Sequence, residues 1–366
     1  MKKLFILLVG PVLTGCSSEA DKDEVRRNSV TVLNSGSIDD ASAMEALSDV
    51  GAKIRKNSRG QIIEVNLRKT KANDETLKAL VLLQHGRSLL LNDLNITDVG
   101  LATLSEVSWP VTQLDLRGCP ISNAGLEHLA GMSSLKVLRL SGSNTETSVD
   151  DEGLATISRF AGLRVLSLDK LTVNVAGIKH LIALQELEEL YLADTTIDDE
   201  AVKILSGLTG LQKLRLSGNP ISNEGLKQLA KLKNLVDLDL SRIDPLSDDG
   251  IEHLSSLDRL KKLNLWRVPI GDSGVKHLTP LTKLEWLNLD NTNLSDDGLP
   301  SLSNMKQLRF LHVGSTRVSD AGLPLINNHT ALKDLIVTRT LVTEAGVAEL
   351  KKSLPVTRIQ LHYTGN

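Results

Sequence analysis

One motif recurs along most of this chain and limits what it can fold into. It runs Leu-x-x-Leu-x-Leu, then an Ile, Val or Leu five residues later, then usually Gly-Leu and a further Leu three residues on. Leu211, Leu214, Leu216, Ile221, Gly225, Leu226 and Leu229 make one clean copy. Leu284, Leu287, Leu289, Leu294, Gly298, Leu299 and Leu302 make another. Thirteen copies align on the last apolar residue of the first half: Leu67, Leu91, Leu116, Leu140, Leu168, Leu192, Leu216, Leu240, Leu265, Leu289, Val313, Val337 and Leu361. Nine of the twelve spacings are 24 residues, two are 25 and one is 28. Self-similarity at this period marks a solenoid of stacked units.

The physics of one copy accounts for the pattern. Successive side chains of a strand point to opposite faces, so the leucines of Leu-x-Leu face inward and the residues between them face out. Stacked copies set these strands side by side in a parallel sheet. Ser222, Ser247, Ser295 and Ser319 stand where a helix N-cap belongs. The acidic residues just after them suit the helix dipole. The Leu-x-x-Leu that follows packs a short helix against the sheet. No copy covers its own apolar face, so the domain is an array of mutually covering units. Its core is aliphatic: the chain has 69 leucines in 366 residues and only 2% aromatics.

These residues resemble the leucine-rich repeat family over roughly residues 62–366. The Thr-x-Ile-Ser-Asp-x-Gly-Leu flavour is similar to bacterial leucine-rich repeat lipoproteins. It is also similar to the ribonuclease-inhibitor-like, cysteine-containing repeats attached to eukaryotic F-box proteins, although no F-box is present. One repeat carries the cysteine, Cys119; the same position elsewhere holds Thr70, Thr195, Asn219, Thr292, Thr316, Thr340 or Thr364. The resemblance implies an α/β fold, a horseshoe solenoid with about 13 parallel strands on the concave face and short helices on the convex face. It also implies binding on the concave, strand-lined face.

The N-terminus reads as an address. Lys2 and Lys3 precede an apolar stretch from Leu4 to Leu13, broken only by Gly10 and Pro11. That stretch suits a signal peptide and is far shorter than the ~20 residues that span a bilayer. Leu13-Thr14-Gly15-Cys16 resembles the bacterial lipobox. The resemblance implies a lipoprotein signal peptide over residues 1–15 and a diacylglyceryl thioether on Cys16. Cleavage then leaves an acylated, palmitate-bearing N-terminus, and several acyl chains together anchor stably. The plain alternative is an ordinary secretory signal with a chance cysteine. Ser17, rather than Asp, follows the cysteine, which by the family rule sends the protein to the outer membrane of a cell with two membranes.

Residues 16–37 are polar and charged and read as a lipidated tether. Residues 38–61 read as the N-terminal cap of the array. There Asp39 or Asp40 caps a helix through Val50, with Ala41, Met44, Ala46 and Leu47 mostly apolar. Lys53–Lys56, a turn at Asn57–Gly60 and Ile62–Leu67 then form a hairpin. Residues 62–366 are the repeat array. Its last strand, Val356–Leu361, leaves an edge open to homotypic pairing, unless Lys351, Lys352 and Arg358 keep it soluble.

Two features stand out among the outward strand positions. Lys213, Asp237 and Lys262 lie beside Arg215 and Asp239, alternating in sign at strand spacing; a solvated cross-strand ladder accounts for them. The second feature is aromatic. Four of the seven aromatics beyond residue 15, Tyr191, Trp266, Trp286 and Phe310, fall among the 39 outward positions. Trp286 and Phe310 share a column in neighbouring repeats, and Trp266 sits at the other strand end beside Asp290. Asn264, Asn288 and His312 lie between. Exposed Trp is enriched in binding hot spots. The candidate ligand-binding residues are therefore Trp266, Trp286, Phe310, His312, Asn264, Asn288, Asp290 and Tyr191. Such a face suits a peptide or a sugar, here an envelope polysaccharide. The plain alternative is that Trp286 and Phe310 only cover each other.

The remaining features point away from chemistry. The four extra residues within Ser141–Glu152 read as a surface loop. His128, His180, His253 and His277 recur in Gly-x-x-His-Leu, a helical-side position, and two histidines without a third ligand make a poor zinc site. Cys119 sits at a turn position that predicts burial. No nucleophile elbow, P-loop, HExxH or CxxC occurs. The 42 basic and 45 acidic residues give a net charge of −3, which argues against nucleic acid. The expectation is a non-enzymatic scaffold of the cell envelope with no cofactor, no metal and no catalytic residues. Its lipid would sit on Cys16 and a protein or peptide on its concave face; an enzyme with an unrecognised site is the remote alternative.

Overall fold

The alternating leucines dictate the sheet. A computed structural model describes residues 38–142 and 146–363 of the chain. The proposed signal peptide, Cys16 and the tether, residues 143–145 of the Ser141–Glu152 loop and the last three residues lie outside the described residues. Fourteen strands form one sheet in chain order. The first, Lys53–Lys56, runs antiparallel to Ile62–Asn66. From Ile62–Asn66 to Arg358–Gln360 each strand is parallel to the next. Their central residues stack in register from Val65 and Leu89 to Leu311 and Leu335, none more than 2% exposed. Each such leucine contributes about 1.5–3 kcal/mol by leaving water.

The other layer consists of short helices, among them Asp74–Val81, Asn123–His128 and Asn223–Leu229. Their paired leucines, such as Leu126 with Leu129 and Leu226 with Leu229, are fully buried. Asp296–Leu302, which contains Pro300, and Leu323–Ile326, which contains Pro324, are 3-10 turns instead. Proline lacks the N–H that an α-helical ladder needs. Strands pack about 4.8 Å apart and helices about 8–10 Å apart, so the sheet forms the shorter, concave side. The N-terminal helix spans Ile38–Asp49, so Asp39 and Asp40 lie inside its first turn rather than capping it. Ala43 and Leu47 are its buried residues, four apart on one face, whereas Ala46 is exposed.

The Ser-Asp pairs do more than start helices. Ser222, Ser295 and Ser319 accept the N–H two residues on; Ser247 makes no such cap bond and instead accepts from the Asn223 amide at 2.8 Å. The residue after the cap reaches forward into the next repeat. Asp199 Oδ1 accepts the Ser222 N–H at 2.8 Å and its Oδ2 accepts the Ser222 hydroxyl at 2.5 Å. Asp272 does the same to Ser295, and Asp296 to Ser319. Among the described residues ten of the eleven junctions between consecutive caps are bridged by an Asp or Asn in this way. The exception has Val175 in the bridging position.

This bridge explains the glycine of Gly-Leu. At Gly225, Gly274 and Gly298 an added Cβ would overlap the bridging carboxylate of the preceding repeat. The same holds for the bridging Asp or Asn at the seven other bridged junctions. Opposite Val175, where no carboxylate needs room, the position holds Ala201.

The strand ends form a second ladder. The chain turns through left-handed backbone two residues past the last inward residue, at Lys69, Asp194, Arg267, Asn291, Ser315 and Arg339, and at Gly118 and Gly218. The next residue ties the turn down. The hydroxyls of Thr195, Thr292, Thr316 and Thr340 donate to the carbonyl three residues back. Asn219 donates to the Leu192 and Leu216 carbonyls and accepts the Ile197 N–H. Cys119 takes this place in its own repeat, with its thiol 3.2 Å from the Leu91 carbonyl. Burial pushes that thiol's pKa up to about 11, far from thiolate chemistry.

Two substitutions test the bridge. Gly225→Ala drives a methyl into Asp199 and should destabilise the array by about 1–3 kcal/mol. Ala201→Gly, at the unbridged junction, should cost no more than about 1 kcal/mol of helix propensity. Urea unfolding of both variants measures the difference; equal losses would show that the glycines are not there for the carboxylates.

Candidate functional site

The register places the outward residues on one surface. On the strand Glu189–Tyr191 the Tyr191 hydroxyl donates to Glu189 at 2.8 Å, and the Arg215 guanidinium lies 5.1 Å from the ring centre. Burial, then the bond to Glu189, raises the Tyr191 pKa, so the phenol stays neutral. Burial alone would raise the Glu189 pKa as well. The bonds from Lys213 and Tyr191 outweigh it, and the carboxylate ends below its usual range.

The charged strip forms the cross-strand ladder in part: Lys262 with Asp237 and Arg215 with Asp239 pair as the alternating signs predict, and Lys213 does not. Lys213 bonds Glu189 at 2.7 Å, while Asp237 pairs with Lys262 at 3.4 Å. Arg215 bridges Asp169 at 2.9 Å and Asp239 at 3.7 Å. The long lysine and arginine stems choose partners by reach, and Glu189, which the ladder had left out, is the better placed acceptor for Lys213. These groups are partly exposed, and such pairs contribute little stability each. Their pattern of sign gives the concave face a fixed alternation of charge.

The aromatic part begins on the strand after Lys262. Trp286 and Phe310 are directly opposite in neighbouring strands. Their rings stack at 4.8 Å between centroids and 6° between planes. Lys262, on the strand before, sets its Nζ 5.0 Å from the Trp286 ring centre. Trp286 is therefore covered on one face by Phe310 and on the other by a cation, an attractive contact in itself. What it offers to a ligand is ring edge. Trp266 is half-buried at the strand's far end with the Arg267 guanidinium 5.6 Å from its centre.

The polar candidates divide by whether they are already engaged. Asn264 Oδ1 accepts the Trp266 N–H at 3.2 Å, and Asn288 Oδ1 accepts the Asp290 N–H at 2.9 Å. Their carbonyl oxygens thus shape the strand ends, and only the amide N–H groups face outward. His312 meets the Phe310 ring edge-on at 6.4 Å. Its Nε2 lies 3.7 Å from Asp290 Oδ1. Burial holds the His312 pKa below 6.5, and the Asp290 charge pulls the other way without prevailing.

A leucine-rich repeat region model matches residues 143–345, more than half of the chain. The chain belongs to the leucine-rich repeat family. A second leucine-rich repeat model matches residues 110–130. An internalin (inlF) from Listeria monocytogenes is similar in structure, with a TM-score of 0.61 at 20% identity over 90% of this chain and 96% of that one. Internalin C2 from the same organism gives a TM-score of 0.45 at 25% identity over 60% and 87%. No curated protein matches the sequence.

In this leucine-rich repeat array Trp286, Phe310, His312 and Asp290 come together, with Asn264, Asn288 and Trp266 at their border. Tyr191 stands apart, in the charged strip. A shallow depression through Arg215, Asp239 and Asn264 connects it to Trp286. Sequence reasoning missed Gly314 and Thr338, which complete the surroundings of His312. The available signal was Gly314 itself, a bare position in a column of side chains. Among the described residues no group of three or more His, Cys, Asp or Glu is placed to hold a metal ion. Nor is any helix among them long and apolar enough to cross a membrane.

The His312 environment gives a titration prediction. By NMR its ring should titrate below pH 6.5, and Asp290→Asn should lower the midpoint further by removing the one charge that raises it. A midpoint above 6.5 would show that the ion pair outweighs burial.

Proposed function

We propose that the chain is a non-enzymatic scaffold of the cell envelope, held by lipid on Cys16, that binds a protein or peptide along its concave face. The observation that carries the choice of partner is the covering of Trp286. Sugar recognition by aromatic residues uses an open ring face, and both faces of Trp286 are taken by Phe310 and Lys262. Ring edges flanked by fixed charges suit the mixed apolar and polar surface of a polypeptide. The lipid part rests on Lys2, Lys3, the Leu4–Leu13 stretch and Leu13-Thr14-Gly15-Cys16. Ser17 supports the outer membrane as its destination where there are two. The buried, high-pKa Cys119 and the motif-free sequence support a binder over an enzyme.

The test is a pull-down from detergent-solubilised native envelope. Its baits are the full chain and the variant with Trp266, Trp286 and Phe310 all changed to Ala. The expected result is a protein retained by the first and lost by the second, more weakly held at higher salt because the charged strip contributes. Trp286→Ala alone should weaken that contact by ~2 kcal/mol, about 30-fold. Retention of the same partner by both baits would refute the aromatic site. Capture of a polysaccharide, insensitive to salt, would replace the peptide reading with a carbohydrate one, and hydrolase turnover would replace both.

A further inference from the structure

Gly314 is the one glycine among the 39 outward strand positions. It stands between Asp290 of the preceding repeat and Thr338 of the following one, in the same column. Three polar atoms converge where its side chain would be. His312 Nε2 is 2.8 Å, and Asp290 Oδ1 and Thr338 Oγ1 each 2.9 Å, from the position a Cβ would take. The missing methyl is what lets the three side chains approach one another.

These three groups lack protein partners for hydrogen bonding. The His312–Asp290 separation of 3.7 Å exceeds hydrogen-bond length. The Asp290 carboxylate, the His312 ring nitrogens and the Thr338 hydroxyl form no hydrogen bond among the described residues, although Thr338 is only 6% exposed. Other small polar residues in this column do pair: Ser217 with Ser241 at 2.8 Å, and Ser241 with Asp239 at 2.7 Å. The His312 and Asp290 side chains are 20% and 18% exposed, so a ligand group with matching donors can reach the three open atoms from the concave side.

The chemistry of that group follows from the atoms. A carboxylate only accepts, a hydroxyl oxygen accepts, and a neutral imidazole with its proton on Nδ1 accepts at Nε2. Three acceptors and one negative charge match the three donors and one positive charge of a primary ammonium. The three atoms are the ends of movable side chains, so they can close on a nitrogen seated over Gly314. The Phe310 ring, 6.4 Å from the His312 ring, lies alongside for the carbon attached to it.

We propose that Asp290, His312 and Thr338, gathered over Gly314, form a subsite for a primary ammonium: the free amino terminus or a lysine side chain of the bound polypeptide. The inference rests on the peptide reading for its source and on the three acceptors for its chemistry. Arginine fits less well, since its planar fork matches paired oxygens rather than a tripod.

The test follows the His312 ring and the Thr338 methyl by NMR in the full chain, purified in detergent, during titration with n-butylammonium chloride. Saturable shifts at both residues are expected. Tetramethylammonium, equal in charge but without N–H donors, and n-butanol should produce none. Gly314→Ala fills the site against movable side-chain ends, and Asp290→Asn removes the charge. Each should weaken the response by about tenfold or more. Alanylalanine amide and Nα-acetyl-lysine amide then separate an amino terminus from a lysine side chain by which binds more tightly. Absence of saturation, equal response to tetramethylammonium, or an unchanged response in Gly314→Ala would overturn the proposal. n-Butylammonium binding alongside a negative pull-down would retain the subsite and remove the peptide as its source.

Discussion

Besides sheet and core, one short contact recurs at ten of the eleven described junctions between repeats: a carboxylate or amide at the first helical position accepting the cap N–H of the following copy. The buried leucines hold the layers together and fix which side of each strand faces in. The bridge adds a directional constraint. It demands a hydroxyl or backbone N–H 23 or 24 residues downstream and bare backbone 26 or 27 residues downstream in most repeats. Directional bonds of this kind specify one arrangement among many that an aliphatic core would tolerate. The left-handed turns at the other end of each strand do the same for the sheet edge, where a hydroxyl or amide fixes the reversal.

The candidate surface is a consequence of that fixed register. Residues far apart in sequence, Lys262, Trp286 and Phe310, become direct neighbours because their strands pair without a slip. A shift of one residue in any of them would send its aromatic ring into the core and a leucine to the surface. The charged strip and the aromatic group thus form one continuous face, linked by the depression between Tyr191 and Trp286. The strip supplies polar pattern, and the aromatic group supplies apolar edges with three open acceptors beside them.

The repeat, the sheet, the short helices and the outward columns were legible in the sequence, because periodic leucines leave few other folds. The Ser-Asp-x-Gly pattern was visible too, but its reading as a cap with a favourable dipole caught half of its role. Asp199 caps nothing; it reaches across to Ser222, a contact that exists only once two copies are stacked. Side-chain choices were not legible for the same reason. Lys213 reaches Glu189 rather than Asp237, and Asn264 and Asn288 turn their oxygens to their own backbone. The stacking of Trp286 on Phe310 followed from their shared column, whereas the lysine on its other face did not. Gly314 carried no meaning until its neighbours were seen to crowd the space above it.

The junction at Val175 has a mechanical side. A partner held on the aromatic repeats and an attachment ahead of residue 38 would pull on opposite ends of the array, and the tension would pass through every joint between them. Ten described joints share that load between sheet, core and a bridging side chain; the one between Val175 and Ala201 lacks the third strut. It sits just before the strand that carries Glu189 and Tyr191, so the aromatics of the candidate face all lie on one side of it and Asp169, the partner of Arg215, on the other. Under such a load that seam, with one strut fewer, would be the first to bend, leaving the stacking of Trp286 on Phe310 undisturbed.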